Sequence, residues 1–116
     1  MLKVPFKLTY GLEYEGKLYR VGEMRMPTLE DVECAIEELA VLMPESNPTQ
    51  ARVDRHTWAR TITSLGNIPP EKITAELLAS LPAADYSTLK EAENTLEKKQ
   101  RELKCYSDPE DCELFG

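Results

Sequence analysis

The sequence has few of the residues on which most catalytic sites depend. Its single histidine, His56, has Asp54 two positions away, and residues two apart on a helix point in different directions, so the pair cannot form a catalytic dyad. The five glycines are scattered singly, which excludes a glycine-rich phosphate loop. No serine lies in a nucleophile elbow. These gaps predict a protein that is not an enzyme, with His56 either solvated or at a helix edge.

Cysteine is also scarce. Cys34, Cys105 and Cys112 are odd in number and widely spaced, unlike the disulfide framework of a small secreted domain. Structural zinc sites usually pair cysteines about two to four residues apart. Cys105 and Cys112 have six residues between them, and nothing local would bring Cys34 and His56 to them. We therefore expect no metal, no cofactor and a location in the reducing cytoplasm.

Long apolar runs and positive charge are lacking as well. No segment approaches the roughly 20 apolar residues that cross a bilayer, and the N-terminal segment has no apolar core or cleavage site of a secretory signal. We expect no membrane partner. The chain has 14 Lys and Arg residues and 21 Asp and Glu residues, for a net charge of −7. Such a surplus of acids repels phosphate backbones, so nucleic acid is not an expected partner.

What is present fits one small domain. A chain of 116 residues with 41% hydrophobic residues can bury its own core. The acids cluster: residues 27–66 carry seven acids and three bases, and residues 105–116 carry four acids and no base. We predict a single α+β domain over residues 1–104, followed by an acidic tail over residues 105–116.

The N-terminal segment predicts a β-hairpin over residues 4–26. Apolar side chains occupy the even positions from Phe6 to Tyr14, an alternation typical of a half-buried strand. Glu15 and Gly16 supply the turn, and residues 17–21 resume the extended pattern. Gly22 indicates a bulge or a bend. Beyond it, residues 23–26 either continue the second strand or begin a third.

Four helices are predicted after the hairpin, at about 29–43, 49–65, 71–81 and 83–104. Thr28 is the expected cap of the first, and Pro82 fits the first turn of the last. The first helix carries apolar residues at steps of three and four, which predicts a buried stripe of Leu29, Val32, Ile36, Leu39 and Met43. The second presents one apolar face, made of Ala51, Trp58, Ile62 and Leu65.

Two surfaces are candidates for binding a partner. On the first helix, Glu30, Glu33, Glu37 and Glu38 lie opposite the predicted stripe and form either a solvated face or an acidic docking surface for a basic segment. On the last helix, a sparse heptad runs from Tyr86 to Leu103. Its distal residues Leu96 and Leu103, with Tyr106 beyond them, either pack on the hairpin and first helix or contact a partner or a second copy.

Two blocks of motifs occur in a recognisable order. The first block comprises Gly16-Lys17, then Met24-Arg25-Met26-Pro27-Thr28, then Asp31. The second comprises Leu65-Gly66, Ile68-Pro69, Ile73, Leu81, Asp85, Leu89 and Ala92. Over about residues 8–100, this order resembles the tail assembly chaperones of Mu-like contractile-tailed bacteriophages and related prophages.

The resemblance implies a non-enzymatic helper in the host bacterial cytoplasm, absent from the mature virion. Such a helper binds the tape-measure protein and keeps it soluble while the tail tube polymerises. The family pattern implies no catalytic residue, and we expect structural roles for Arg25, Asp31 and Asp85. The alternative is a prophage-encoded interaction module or adaptor that uses the long C-terminal helix.

Overall fold

The computed structural model describes residues 2–103 and has the predicted α+β class. A three-stranded antiparallel sheet, with strand order β1-β2-β3, contains β1 (Lys3–Tyr14), β2 (Lys17–Arg25) and β3 (Ile62–Leu65). The helices are α1 (Leu29–Leu42), α2 (Gln50–Thr61), α3 (Ala75–Leu78) and α4 (Ala83–Leu103). The long helix α4 packs against β1, and α1 packs chiefly against α2.

The hairpin prediction is confirmed. Glu15 and Gly16 both have positive φ, at 51° and 79°, the pattern of the tight turn that matches the twist of paired strands. The second strand continues to Arg25 without starting a third. Gly22 is no bend, since it pairs with Phe6 on one side and Leu65 on the other. A Cβ there would lie 2.4 Å from the carbonyl oxygen of Ser64, so glycine permits the close approach of β3.

The irregularity in the hairpin lies at Gly11 instead. The β1–β2 register shifts between Lys7 and Leu12, and Gly11 has a φ of 101°. Residues 8–11 of β1 lie opposite the single residue Arg20 of β2, and such extra residues interrupt the two-residue alternation of side chains. Tyr10, which the alternation places with the buried residues, is 59% exposed, whereas Leu12 is fully buried. The prediction for Tyr10 is therefore wrong.

The predicted second helix is too long. It ends at Thr61, and residues 62–65 form β3 rather than a last helical turn. Ile62 caps the helix through its N–H but has extended backbone angles. β-Branched residues such as Ile62 and Thr63 favour strands, and pairing with β2 satisfies their backbone. Trp58 and Leu65 are both buried, but Ala51 is exposed, so the predicted single face is wrong.

The predicted helix at residues 71–81 is also wrong. The segment forms one turn of 3-10 helix (Pro70–Lys72) and the four-residue α3. Pro69 and Pro70 favour a tight turn, and the chain then extends at Thr74. The hydroxyl of Thr74 accepts the N–H of Leu77 at 3.2 Å and starts a new, separate helix.

The core lies between the inner face of the sheet and α4. It combines the inward side chains of the strands with one side of α4 and with apolar residues of α2 and the connecting segments. Its buried members are Val4, Phe6, Leu8, Leu12, Met24, Trp58, Ile62, Leu65, Ile68, Ile73, Leu78, Leu89, Ala92 and Leu96. Among the described residues, no helix has the length and apolarity to span a membrane.

Candidate functional site

The first turn of α1 is held in place by the carboxylate of Asp31. Its Oδ2 accepts the N–H of Thr28 at 2.8 Å, and the Thr28 hydroxyl accepts the N–H of Asp31, which completes a capping box. Arg25 donates from Nη1 and Nη2 at 2.7 and 3.0 Å, and Arg60 donates from Nε at 3.1 Å. One buried carboxylate thus joins α1 to the end of β2 and to the end of α2.

These contacts control the charge of the group. The Arg25 guanidinium holds the pKa of Asp31 well below its usual range, although burial acts in the opposite direction. The Thr28 N–H and Arg60 contribute in the same sense as Arg25. The structural role expected for Arg25 and Asp31 is confirmed, and the ion pairs fix the position of α1.

The buried side of α1 differs from the predicted stripe. The helix buries Asp31, Ala35 and Leu39 at steps of four residues. Leu29 is 75% exposed and Ile36 is 48% exposed, so the prediction for these two residues is wrong. The physical reason is that α1 packs chiefly on one neighbour, α2, which covers only a narrow line along it.

The exposed apolar side chains lie beside the acidic ones. We define the outer face of α1 as Leu29, Glu30, Glu33, Ile36, Glu37 and Ala40, all of which are exposed. At 3.6 residues per turn these six positions span an arc of about 120°. No Lys or Arg occurs in α1. The outer face therefore combines apolar surface with negative charge, and its glutamates form no ion pair within residues 2–103.

His56 is not at a solvated helix edge. It is 4% exposed, and its Nδ1 lies 3.6 Å from Oε1 of Glu38 on α1, too far for a hydrogen bond. The prediction of a solvated position is wrong because α1 covers this part of α2. Asp54 is directed elsewhere, since its carboxylate accepts hydrogen bonds from Gln50 and Tyr86.

Of the surface predicted on the C-terminal helix, the structure describes only Leu96, which is not available to a partner. Leu96 is 0% exposed and packs in the core with Leu89 and Ala92. The expectation that Leu96 contacts a partner is therefore wrong, because the inner face of the sheet needs the apolar side of α4 to cover it. The side chain of Leu103 and the whole of Tyr106 lie outside the described residues.

Asp85 has the structural role that we expected, with a partner that the sequence did not reveal. It lies in the first turn of α4 and is fully buried. Its carboxylate accepts the backbone N–H groups of Thr9, Tyr10 and Gly11, with shortest distances of 2.7, 3.2 and 2.9 Å. These are the residues of the β1 irregularity, so Asp85 joins the long helix to the strand.

A cleft of about 570 Å³ opens between α2, α3 and the start of α4. Large apolar and aromatic side chains form much of its lining: Trp58, Leu78, Leu81, Pro82 and Tyr86. The ring centroids of Trp58 and Tyr86 are 5.3 Å apart. Arg52 and Arg55 also line the cleft. Neither arginine forms an ion pair within residues 2–103, so the cleft presents apolar surface together with positive charge.

A polar cluster forms around Tyr86, which also lines the cleft. The Tyr86 hydroxyl donates to Asp54, and Lys90 Nζ lies 3.5 Å from Asp54 Oδ2 and 3.4 Å from Glu93 Oε1. The hydrogen bond to Asp54 raises the pKa of Tyr86, and burial raises the pKa of Glu93. Every member of the cluster has a partner, so the cluster joins α2 to α4 rather than presenting a free reactive group.

No group of three or more metal-ligating side chains occurs in the part of the chain that the structure describes. No protein-family model matches the chain, and comparisons with curated proteins and with solved structures give no match. Sequence reasoning missed the cleft because its walls come from segments separated by irregular structure. It identified Glu30, Glu33 and Glu37 but missed the exposure of Leu29 and Ile36 beside them.

Proposed function

We propose that this protein is a tail assembly chaperone of a contractile-tailed phage or prophage. It binds the tape-measure protein in the host bacterial cytoplasm, keeps it soluble during tail assembly, and is absent from the mature virion. The order of motifs from Gly16 to Ala92 is the basis of the family assignment. The structural observation that carries the proposal is the outer face of α1, where Leu29 and Ile36 are exposed beside carboxylates.

The physical argument concerns solubility. A long helical protein with bare apolar stripes aggregates unless another surface covers those stripes. The outer face of α1 covers one such stripe through Leu29 and Ile36, in the manner of helix-to-helix recognition. Glu30, Glu33 and Glu37 select a basic partner segment, and the net charge of −7 keeps the complex in solution.

The alternative is a general interaction module that uses the long C-terminal helix. Within the described residues, the apolar side of α4 is already covered by β1. Leu89, Ala92 and Leu96 are therefore unavailable without unfolding. This favours α1 over α4 as the binding helix.

Co-expression tests the function. The tape-measure protein encoded in the same tail gene cluster is produced with and without this chain, and its soluble fraction is measured. We expect the chain to raise that fraction several-fold and to copurify with the tape-measure protein. An equally insoluble tape-measure protein, with no complex recovered, would overturn the proposal.

Charge reversal tests the surface. The triple variant Glu30→Lys, Glu33→Lys and Glu37→Lys should lose at least tenfold in affinity for the tape-measure protein. The control is Glu71→Lys, Glu91→Lys and Glu97→Lys, which changes the net charge equally at exposed positions outside α1. Equal loss in both variants would show a general charge effect, and no loss in either would exclude the outer face.

A further inference from the structure

Arg52 and Arg55 lie at the cleft between α2, α3 and α4 without a carboxylate partner within residues 2–103. By contrast, Arg25 and Arg60 on the same domain share Asp31. Two unpaired guanidinium groups beside an apolar lining favour a ligand that is both acidic and apolar, since arginine binds carboxylates through paired hydrogen bonds. The cleft volume of about 570 Å³ is within the usual range for ligand sites.

The acidic tail, residues 105–116, has this chemistry. It contains four acids and no base. The acids are Asp108, Glu110, Asp111 and Glu113, and Leu114 and Phe115 follow directly. We propose that this acidic segment binds the cleft of its own chain. Leu114 and Phe115 occupy the apolar lining, and the carboxylates pair with Arg52 and Arg55. The inference is independent of the proposed chaperone function, which concerns the outer face of α1.

The length of the chain permits this contact. The cleft is lined by Ala83 at the start of α4, and Leu103 at its other end lies about 30 Å along the helix axis. Eleven extended residues from Leu103 to Leu114 span up to about 36 Å. A segment that runs back along α4 therefore reaches the cleft. Because the segment is tethered, its effective concentration is on the order of millimolar, so a weak contact is sufficient.

Disulfide trapping tests the contact in the full chain. Cys34→Ser and Cys105→Ser leave Cys112 as the only cysteine, and Ala79→Cys then places a second thiol at the cleft. Ala40→Cys on the outer face of α1 is the matched control, because both alanines are exposed. In a glutathione buffer at low protein concentration, we expect an intramolecular disulfide with the cysteine at position 79 at least tenfold more often than with that at position 40. Adding Arg52→Glu and Arg55→Glu should reduce trapping to the control level.

A second measurement avoids the cysteine changes. In the reduced wild-type chain, Leu114→Ala with Phe115→Ala should shift the backbone amide NMR signals of Ala79 and Ala83 but not that of Ala40. Three results would overturn the proposal: equal trapping at both positions, trapping only between two chains, or trapping unchanged by the arginine reversals. Unshifted amide signals at Ala79 and Ala83 would overturn it as well.

Discussion

The carboxylate of Asp85 accepts the backbone N–H of Gly11 at 2.9 Å, a buried hydrogen bond between residues 74 positions apart in the sequence. Gly11 belongs to the irregularity of β1, where consecutive N–H groups point away from the strand ladder. One fully buried carboxylate satisfies them and sets the position of α4 on the sheet. This relationship makes the fold depend on a charge in its interior.

Replacing the carboxylate of Asp85 should lower the free energy of unfolding. Asp85→Asn keeps the shape but turns an amide nitrogen toward backbone N–H donors, which leaves at least one donor unsatisfied. We expect a loss of about 2–4 kcal/mol in the free energy of unfolding, measured by urea titration. Glu91→Gln, an exposed change on the same helix, is the control and should stay within about 0.5 kcal/mol. Equal stability of the two variants would contradict the role assigned to Asp85.

Two glycines of the hairpin should respond differently to alanine. Gly11 has a φ of 101°, and a Cβ there would lie 2.9 Å from Cγ of Arg20. Gly16 has a φ of 79° with no atom within 4 Å of the added Cβ. We expect Gly16→Ala to cost about 1 kcal/mol from backbone conformation alone. Gly11→Ala adds a clash to the backbone cost and should lose about 2–4 kcal/mol. Thermal denaturation of the two variants measures these losses of stability. A larger loss for Gly16→Ala than for Gly11→Ala would contradict the close packing described at Gly11.

Leu29 on α1 is exposed and Leu96 on α4 is buried, so replacing each with alanine should have opposite effects on stability and on binding. Leu96→Ala removes a fully buried side chain and should cost about 2–5 kcal/mol in unfolding free energy. Leu29→Ala removes an exposed one and should change stability by less than about 0.5 kcal/mol, while weakening binding to the tape-measure protein. Denaturant titration and a pull-down assay measure the two effects. A stable Leu96→Ala variant that no longer binds would restore α4 as the docking helix.

The pH dependence of the free energy of unfolding should show the stabilisation contributed by Asp31. Its pKa in the folded protein lies well below the unfolded value of about 3.9, chiefly because Arg25 hydrogen-bonds the charged form. A carboxyl group whose pKa is lowered by folding stabilises the protein fully at a pH above its pKa in the unfolded chain. This stabilisation is lost as the pH falls toward its pKa in the folded protein. Wild type should therefore be more stable than Asp31→Asn at pH 6, with the difference shrinking below about pH 4. Urea midpoints from pH 6 to pH 2.5 measure it. A difference independent of pH would contradict the ion-pair account.

Local patterns predicted the elements where short-range chemistry is sufficient. The β-hairpin follows from alternation and from the turn at Glu15 and Gly16. The start of α1 follows from Thr28, whose hydroxyl can cap only the residues directly after it. Patterns failed where a distant partner decides the outcome. Ile62 continues the helical spacing of α2, but β2 offers its backbone a ladder, and the chain forms β3 instead.

The candidate site was likewise only partly predictable from the sequence. Composition and spacing identified the three glutamates on the outer face of α1, because charge at helical intervals is a property of the sequence. The exposure of Leu29 and Ile36 could not be predicted, since an apolar helical stripe is buried only if a neighbour covers it.

By itself, the sequence determined one small acidic α+β domain, its hairpin and the start of α1, because these depend on composition and on contacts between neighbours in the chain. Only the tertiary structure decided which apolar faces are covered. It buried Leu96 beneath the sheet, left Leu29 exposed and formed a cleft beside Arg52 and Arg55. Burial depends on the packing of segments far apart in sequence, and no local pattern specifies that packing.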